Sequence, residues 1–361
     1  MKKKLKVGVL GATGFVGQRL VSLLHSHPFF EISVVAASER SSGKLYEEAV
    51  SGRWKLKEPI PENVAAMRVK DLHNVTGISK DVDFVFCAVD MPTAEIRELE
   101  ERYAKAEIPV VSNNSAHRGT ADVPVVIPEV NPEQLSIIEK QRQRLGTERG
   151  FIVAKPNCSI QCYVPAINAL MDFQPTVMSV CTYQAISGSG KTFADWPEMV
   201  DNVIPFISGE EEKSEQEPLK VWGHIDGDRI SKAAGPLISA QCIRIPAAEG
   251  HMAAVSVSFT HRPDRDIILQ RWREYRGTPQ LHQLPSAPKQ FLNYFEEENR
   301  PQTRLDRDLE NGMGISIGRL REDTIFDYKF VCLSHNTLRG AAGGSVLTAE
   351  LLAAEGYITA K

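Results

Sequence analysis

The chain has 361 residues, 42% hydrophobic and 24% charged, with 42 basic against 46 acidic side chains and a net charge of −4. At about 150 residues per domain this length suggests two domains, and the composition excludes a disordered, collagen-like or membrane protein. The near-neutral balance creates no strong field for nucleic acid or an anionic membrane, and no apolar run approaches the ~20 residues that span a bilayer.

The first half alternates strand and helix signals. Residues 1–6 are basic like the start of a secretion signal, but the apolar run behind them is cut by Gly8 and Gly11, so no signal peptide is expected. Residues 6–10 form the first strand, and 15–25 carry apolar side chains at helical spacing. Strands are expected at 31–37, 83–89 and 108–112, with a helix from Pro92 to about Lys105, since proline suits a first helical turn. Continuous apolar strands alternating with helices indicate a parallel sheet covered on both faces. After Lys155 the pattern changes. Longer strands are expected at 177–186, 237–245, 252–261, 313–320 and 326–333, several of them alternating as one-sided strands do. Helices are expected at 159–171, 192–207, 266–276 and 337–355. The Pro-punctuated stretch 277–302 reads as loop. The whole is α/β: a parallel sheet followed by an α+β unit with a larger, antiparallel sheet.

Gly11, Gly14 and Gly17 stand in GATGFVG, with Thr13, Phe15 and Val16 between them, at the turn from first strand to first helix. Glycine there lets the backbone turn tightly and approach a pyrophosphate, with helix N–H groups facing the anion. The spacing is GxxGxxG rather than GxGxxG. The bland alternative is a tight turn without ligand, but the strand–turn–helix context favours a nucleotide. The second strand ends in a loop with both kinds of ribose reader. Glu39 suits a free 2′-hydroxyl, whereas Ser38, Arg40 and Ser41 suit a 2′-phosphate, and the cationic donor tips the reading to NADP.

Six cysteines, at 87, 158, 162, 181, 242 and 332, are too sparse for a disulfide scaffold, and nine histidines form no HExxH. A reducing cytoplasm, free thiols and no structural metal are expected. Cys158 opens a predicted helix at the junction of the two halves, where a helix N-terminus favours thiolate. On its own residues it reads equally as a reactive or as a buried structural thiol. The other five, inside strands or deeper in the helix, read as structural. Arg244 and His251 flank IPAAEG: the arginine is able to grip a carboxylate in two parallel hydrogen bonds, and a histidine at a strand corner is able to move protons near neutral pH.

These motifs together resemble the aspartate-β-semialdehyde dehydrogenase family, in particular its archaeal and fungal branch. The resemblance runs along nearly the whole chain, through GATGFVG at 11–17, SNNSAHR at 112–118, PNCSIQC at 156–162, QAISGSGK at 184–191, GEEEK at 209–213, RIPAAEGH at 244–251 and HNTLRGAAGG at 335–344. It implies a Rossmann-type NADP-binding domain over 1–157 and 336–361, and a catalytic and dimerisation domain of the glyceraldehyde-3-phosphate-dehydrogenase-like kind over 158–335. It implies Cys158 as nucleophile and His251 as acid–base, with Gln184 positioning substrate. Arg244 would hold the substrate carboxylate, Glu210 the amine, and Lys213, Arg118 and Asn114 the phosphate. Ser187, Gly188 and Asn336 would approach the cofactor. The implied reaction reduces L-aspartyl 4-phosphate with NADPH and releases inorganic phosphate, in a homodimer or dimer of dimers without metal, nucleic acid or membrane. Malonyl-CoA reductase and N-acetyl-γ-glutamyl-phosphate reductase share this architecture. A non-catalytic nucleotide sensor is the alternative of another class, and a thiol paired with a base argues against it.

Overall fold

Runs of valine, isoleucine and phenylalanine, bounded by glycine or polar turns, build the first sheet. The structure is a computed structural model that describes residues 3–361, so Met1 and Lys2 of the basic opening stretch lie outside the described residues. Strands β1 (Leu5–Leu10), β2 (Phe30–Ala37), β3 (Lys70–Asp71), β4 (Phe84–Cys87), β5 (Val110–Ser112) and β6 (Ile152–Ala154) run parallel in the order β3-β2-β1-β4-β5-β6. The order reverses between β1 and β4, which opens a crevice beyond their C-terminal ends. On one face Val7, Val9, Phe84 and Phe86 pack with Leu20, Val21 and Leu24 of the helix Phe15–Leu24. Val346, Leu347 and Leu351 of the closing helix Ala342–Ala354 join the same core, so the end of the chain returns to the first sheet.

The second half contains β7 (Pro175–Gln184), the hairpin β8 (His224–Asp226) and β9 (Arg229–Ser231), β10 (Leu237–Arg244), β11 (His251–Phe259), β12 (Leu292–Phe295), β13 (Ile315–Glu322) and β14 (Tyr328–Ser334). Six of them form a sheet in the order β10-β7-β11-β14-β13-β12. The sheet is mixed rather than antiparallel: β10 pairs parallel with β7, and β12 with β13. The long link from β7 to β10 carries the helix Glu210–Val221, which packs against β10 and supplies the crossover that a parallel pair needs. This helix also covers a sheet edge, because Glu215 and Glu211 accept the outward N–H groups of Ala240 (3.0 Å) and Cys242 (3.2 Å).

Three expected elements differ. The helix over 159–171 is broken into a 3₁₀ turn Ser159–Gln161, a short helix Val164–Asn168 and a second 3₁₀ turn Met171–Phe173. Asn157 takes the N–H and hydroxyl of Ser159, both at 2.7 Å, and Pro165 lacks the N–H that would continue the ladder. No helix forms over 192–207 beyond the turn Pro197–Met199; Asp195 folds back onto Thr192, and Ile204 pairs with Arg244. The stretch 277–302 contains a helical turn, Thr278–Leu281, and the strand β12.

Candidate active site

The glycine loop follows β1 at the point where the strand order reverses. Gly11 has φ +81°, and a Cβ there would stand 2.3 Å from the Ala88 carbonyl oxygen. A Cβ on Gly17 would stand 2.1 Å from the Gly11 carbonyl oxygen, so glycine sets the close approach of helix to strand. Gly14 is exposed in extended conformation just before the helix, with Thr13, Phe15 and Val16 half-buried around it. In the turn after β2, Ser38, Glu39 and Arg40 are exposed and Ser41 is buried. Arg40, Ser41, Lys44 and Arg53 line a shallow cleft of about 320 Å³. Bare backbone at Gly14 fits a pyrophosphate, and the three cations on the cleft after β2 fit a 2′-phosphate.

Cys158 follows β6 through Pro156 and Asn157. Its side chain is half-buried, and the thiol is pushed up to about 11. Burial is the main cause and the Glu210 carboxylate the second; Lys155, Arg118 and Arg244 pull the other way and do not prevail. The expected ionised thiol is thus corrected for the ligand-free protein. The three-residue 3₁₀ turn behind Cys158 supplies too little of a helix dipole to offset desolvation.

Around the thiol the side chains form two linked groups. Asn157 gives its N–H to Glu217 (2.6 Å) and its amide to both oxygens of Glu210 (3.0 and 3.1 Å). Glu210, at the start of the helix Glu210–Val221, also accepts from Lys213 (2.9 Å) and Gln184 (3.3 Å). Arg118 meets Glu217 at 2.9 Å, and its carbonyl takes the Nζ of buried Lys220 at 2.8 Å. Ser115, Arg118, Lys213, Glu217, Lys220 and Lys232 line a cavity of about 290 Å³. The second group lies at the ends of β10, β7 and β11. Arg244 donates to the Ala185 carbonyl oxygen (2.7 Å), and the Ala185 N–H donates to His251 Nδ1 (3.1 Å). The ring proton of His251 therefore sits on Nε2, which is buried and has no partner. Burial, then the charge of Arg244, pulls this imidazole down to about 3. A Cβ on Gly188 would stand 2.9 Å from Arg244 Nη1 and 3.0 Å from His251 Nε2, so only glycine leaves that space open. Asn336 bridges the Gly250 N–H and the Ser187 hydroxyl, both at 2.8 Å.

The site thus gathers Cys158, His251, Arg118, Gln184, Glu210, Lys213, Arg244, Ser187, Gly188 and Asn336. Asn114 is the exception: its amide turns inward to Glu100 (3.0 Å) and Cys87 Sγ (3.3 Å), because the buried Glu100 carboxylate requires donors. Its neighbour Asn113 instead keeps a buried, unpartnered Nδ2 beside the Arg118 loop. Sequence reasoning passed over Lys155, Asn157, Glu217 and Lys220. Asn157 stands inside PNCSIQC, and Glu217 recurs seven residues after Glu210 on one helix, a visible signal. Lys155 gave none. It is 3% exposed, its Nζ donates to the Pro156 carbonyl oxygen (2.7 Å), and burial, then the Arg118 charge, lowers it to about 7. Among the described residues no group of three or more His, Cys, Asp or Glu is placed to hold a metal ion, and no helix is long and apolar enough to cross a membrane.

Comparison with known proteins adds a second line. The family model "Semialdehyde dehydrogenase, NAD binding domain" matches residues 6–138, and "Semialdehyde dehydrogenase, dimerisation domain" matches residues 167–339. The aspartate-semialdehyde dehydrogenase of Aspergillus fumigatus is 42% identical over 98% of this chain and 99% of its own. That of Archaeoglobus fulgidus is 43% identical over 98% of this chain and 100% of its own. The crystal structure of aspartate semialdehyde dehydrogenase with NADP from Candida albicans superposes with a TM-score of 0.89 at 38% identity, covering 99% of this chain and 100% of that one.

Proposed function

We propose that this chain, which belongs to the aspartate-semialdehyde dehydrogenase family, is an NADP-dependent phosphorylating aldehyde dehydrogenase. It reduces L-aspartyl 4-phosphate to L-aspartate 4-semialdehyde, a step on the way to lysine, threonine and methionine. The observation that carries this reading is the setting of Cys158. Its thiol feels two kinds of group at once: the cations Lys155, Arg118 and Arg244, and the Glu210 carboxylate. An acyl phosphate bearing a carboxylate and an ammonium group has a use for each.

A hydride adds poorly to an acyl phosphate, and a thioester divides the task into easier steps. The Cys158 sulfur attacks the acyl carbon, the bond from that carbon to the phosphate oxygen breaks, and the thiol proton leaves with the phosphate as hydrogen phosphate. Arg118 and Lys213 hold the departing phosphate, with Asn113 Nδ2 taking the place first expected of Asn114. Arg244 holds the substrate carboxylate, Glu210 the ammonium group, and Gln184 fixes the substrate's orientation. The loop Gly11–Gly17 would seat the cofactor's pyrophosphate, with Ser38, Arg40 and Ser41 at the 2′-phosphate and Ser187, Gly188 and Asn336 at the nicotinamide end. Bound NADPH supplies the hydride that reduces the thioester carbon. His251 presents Nε2–H to the oxygen on that carbon and stabilises its charge until the carbon–sulfur bond breaks and Cys158 is released.

In the reverse direction the purified protein should oxidise L-aspartate semialdehyde with NADP only when phosphate or arsenate is present. Rapid reaction of malonyl-CoA with NADPH, and none of the semialdehyde, would replace this reading by malonyl-CoA reductase. We further propose the domain division 1–157 with 336–361 and 158–335, a cytoplasmic location, and a homodimer or dimer of dimers. The match to a dimerisation domain and the exposure of Val200, Val203, Phe206 and Leu237 support association. Sedimentation velocity checks it, and a monomer at micromolar concentration contradicts it.

A further inference from the structure

His251 opens β11, immediately after a corner that is fixed from three sides. Glu249, two residues before it, reaches out of the catalytic half. Its carboxylate accepts from Arg19 Nη2 (3.0 Å) and the Thr337 hydroxyl (3.1 Å), and stands 3.5 Å from His335 Nε2. Arg19 belongs to the helix Phe15–Leu24, two residues beyond Gly17 of the nucleotide loop. The Glu249 carbonyl oxygen accepts from Arg307 (3.1 Å), and the next N–H, that of Gly250, goes to Asn336 (2.8 Å). Gly250 has φ +98°, a conformation other residues rarely adopt, so the chain at this corner has little freedom to relax in another way. Behind the corner, Ala247 and Ala248 accept the N–H groups of Ile186 (2.9 Å) and Ser187 (3.3 Å).

We infer that Glu249 is a positioning residue: through Arg19 it locks the corner bearing His251 to the nucleotide-binding helix, so that the catalytic imidazole takes its place from the cofactor half of the molecule. The inference rests on His251 acting in the reaction proposed above. Three features separate this pair from an ordinary surface ion pair. It joins residues 230 positions apart in sequence. Its side chains are only 13% and 23% exposed, so water screens them little. Its carboxylate stays ionised at any working pH. Burial raises that carboxyl, but the hydrogen bond and charge of His335, the charge of Arg19 and the Thr337 hydroxyl outweigh burial and hold it at about 2. A link that stays charged suits a permanent brace. Misplacing a catalytic group by about 1 Å costs on the order of a hundredfold.

Glu249→Gln, Arg19→Met and the double variant test this. Each single change should lower kcat roughly tenfold to a hundredfold with the KM for semialdehyde little altered, and the double variant should be no worse than the poorer single one. Arg19→Lys, which still offers a cation, should recover most of the rate. In the cofactor-free protein, nitrogen NMR of labelled histidine should show one Nε2–H tautomer for His251 in the wild type and a changed or mixed signal in Glu249→Gln. Unchanged kcat with an unmoved His251 signal overturns the inference, as do strictly additive single effects. Thr337→Val, a milder cut at the same carboxylate, should give a smaller change in the same direction if Glu249→Gln fails to fold. His251→Asn is measured in parallel. Should it stay fully active, the catalytic reading of His251 fails instead, and the NMR result still reports whether Glu249 places the ring.

Discussion

The Glu129–Arg339 pair and the Cys158 cleft both bury charge, and they are finished differently. Glu129 and Arg339 are fully enclosed, with both carboxylate oxygens met by the two Nη groups and the guanidinium lying 4.6 Å from the centre of the Phe291 ring. Tyr275 adds its hydroxyl to the Glu129 carbonyl oxygen at 2.7 Å. In the cleft His251 Nε2, Arg118 Nε and Asn113 Nδ2 are buried donors without partners, against Arg339 Nε alone at the pair, and burial pushes the Cys158 thiol above its ordinary value. A buried polar group without a partner costs stability, so a protein keeps several together where a ligand completes them. The first arrangement ties the loop before the closing helix to the segment between β5 and β6; the second leaves several donors free for a ligand.

The sharpest way to break this contrast is at the thiol. Cys158→Ser should lower turnover by at least about a thousandfold while the fold and NADP binding persist, because an unactivated hydroxyl is a poor nucleophile. Retention of most activity would remove the thioester from the mechanism. In the ligand-free protein the rate of Cys158 alkylation should climb about tenfold per pH unit between pH 7 and 10, since the thiol is raised and only its ionised fraction reacts. A rate already level at pH 7 contradicts the raised thiol.

At the Glu129–Arg339 pair the expected effect is on stability. Arg339→Met leaves Glu129 buried and unpaired and should cost about 3–5 kcal/mol in denaturant unfolding, with activity per folded molecule near that of the wild type. Pairing it with Glu129→Gln should recover part of that loss. A catalytic defect without a stability defect would mean the two regions are not distinct in kind.

Smaller effects sharpen the reading of the cleft. Arg244→Lys keeps the charge but loses the planar fork, and should cost about 2 kcal/mol, roughly thirtyfold, in kcat/KM for the semialdehyde. Equal loss with a substrate lacking the carboxylate would place Arg244 elsewhere. Arg40→Leu should raise the KM for NADP about tenfold and leave that for NAD nearly unchanged. If both rise together, Arg40 does not read the 2′-phosphate.

Much of this molecule was legible in its residues. The strand–glycine–helix opening, the alternation through Ser112 and the one-sided pattern of β11 follow from local periodicity, which needs no knowledge of distant partners. Cys158, His251 and Arg244 were legible as candidates, but on its own residues Cys158 read equally as a reactive or a structural thiol, and it was the resemblance carried by PNCSIQC and RIPAAEGH that implied their roles. The broken helix after Cys158 was not legible, because a hydrogen bond from Ser159 to Asn157 and the missing N–H of Pro165 outweigh a good apolar pattern. Nor was the parallel pairing of β10 with β7, which depends on the helix between them packing back across β10.

What the sequence by itself determined is therefore the set of chemical groups and the local elements that carry them. What the tertiary structure decided is their state and company. It turned Asn114 inward to Glu100, left Asn113 with a free donor, and put the His251 proton on Nε2 through the Ala185 N–H. It also buried Lys155 beside the thiol and tied Glu249 to Arg19 across the length of the chain. The reason is physical. Periodicity is a property of neighbours along the chain, whereas desolvation and the choice of hydrogen-bond partner depend on groups that only folding brings within a few ångströms.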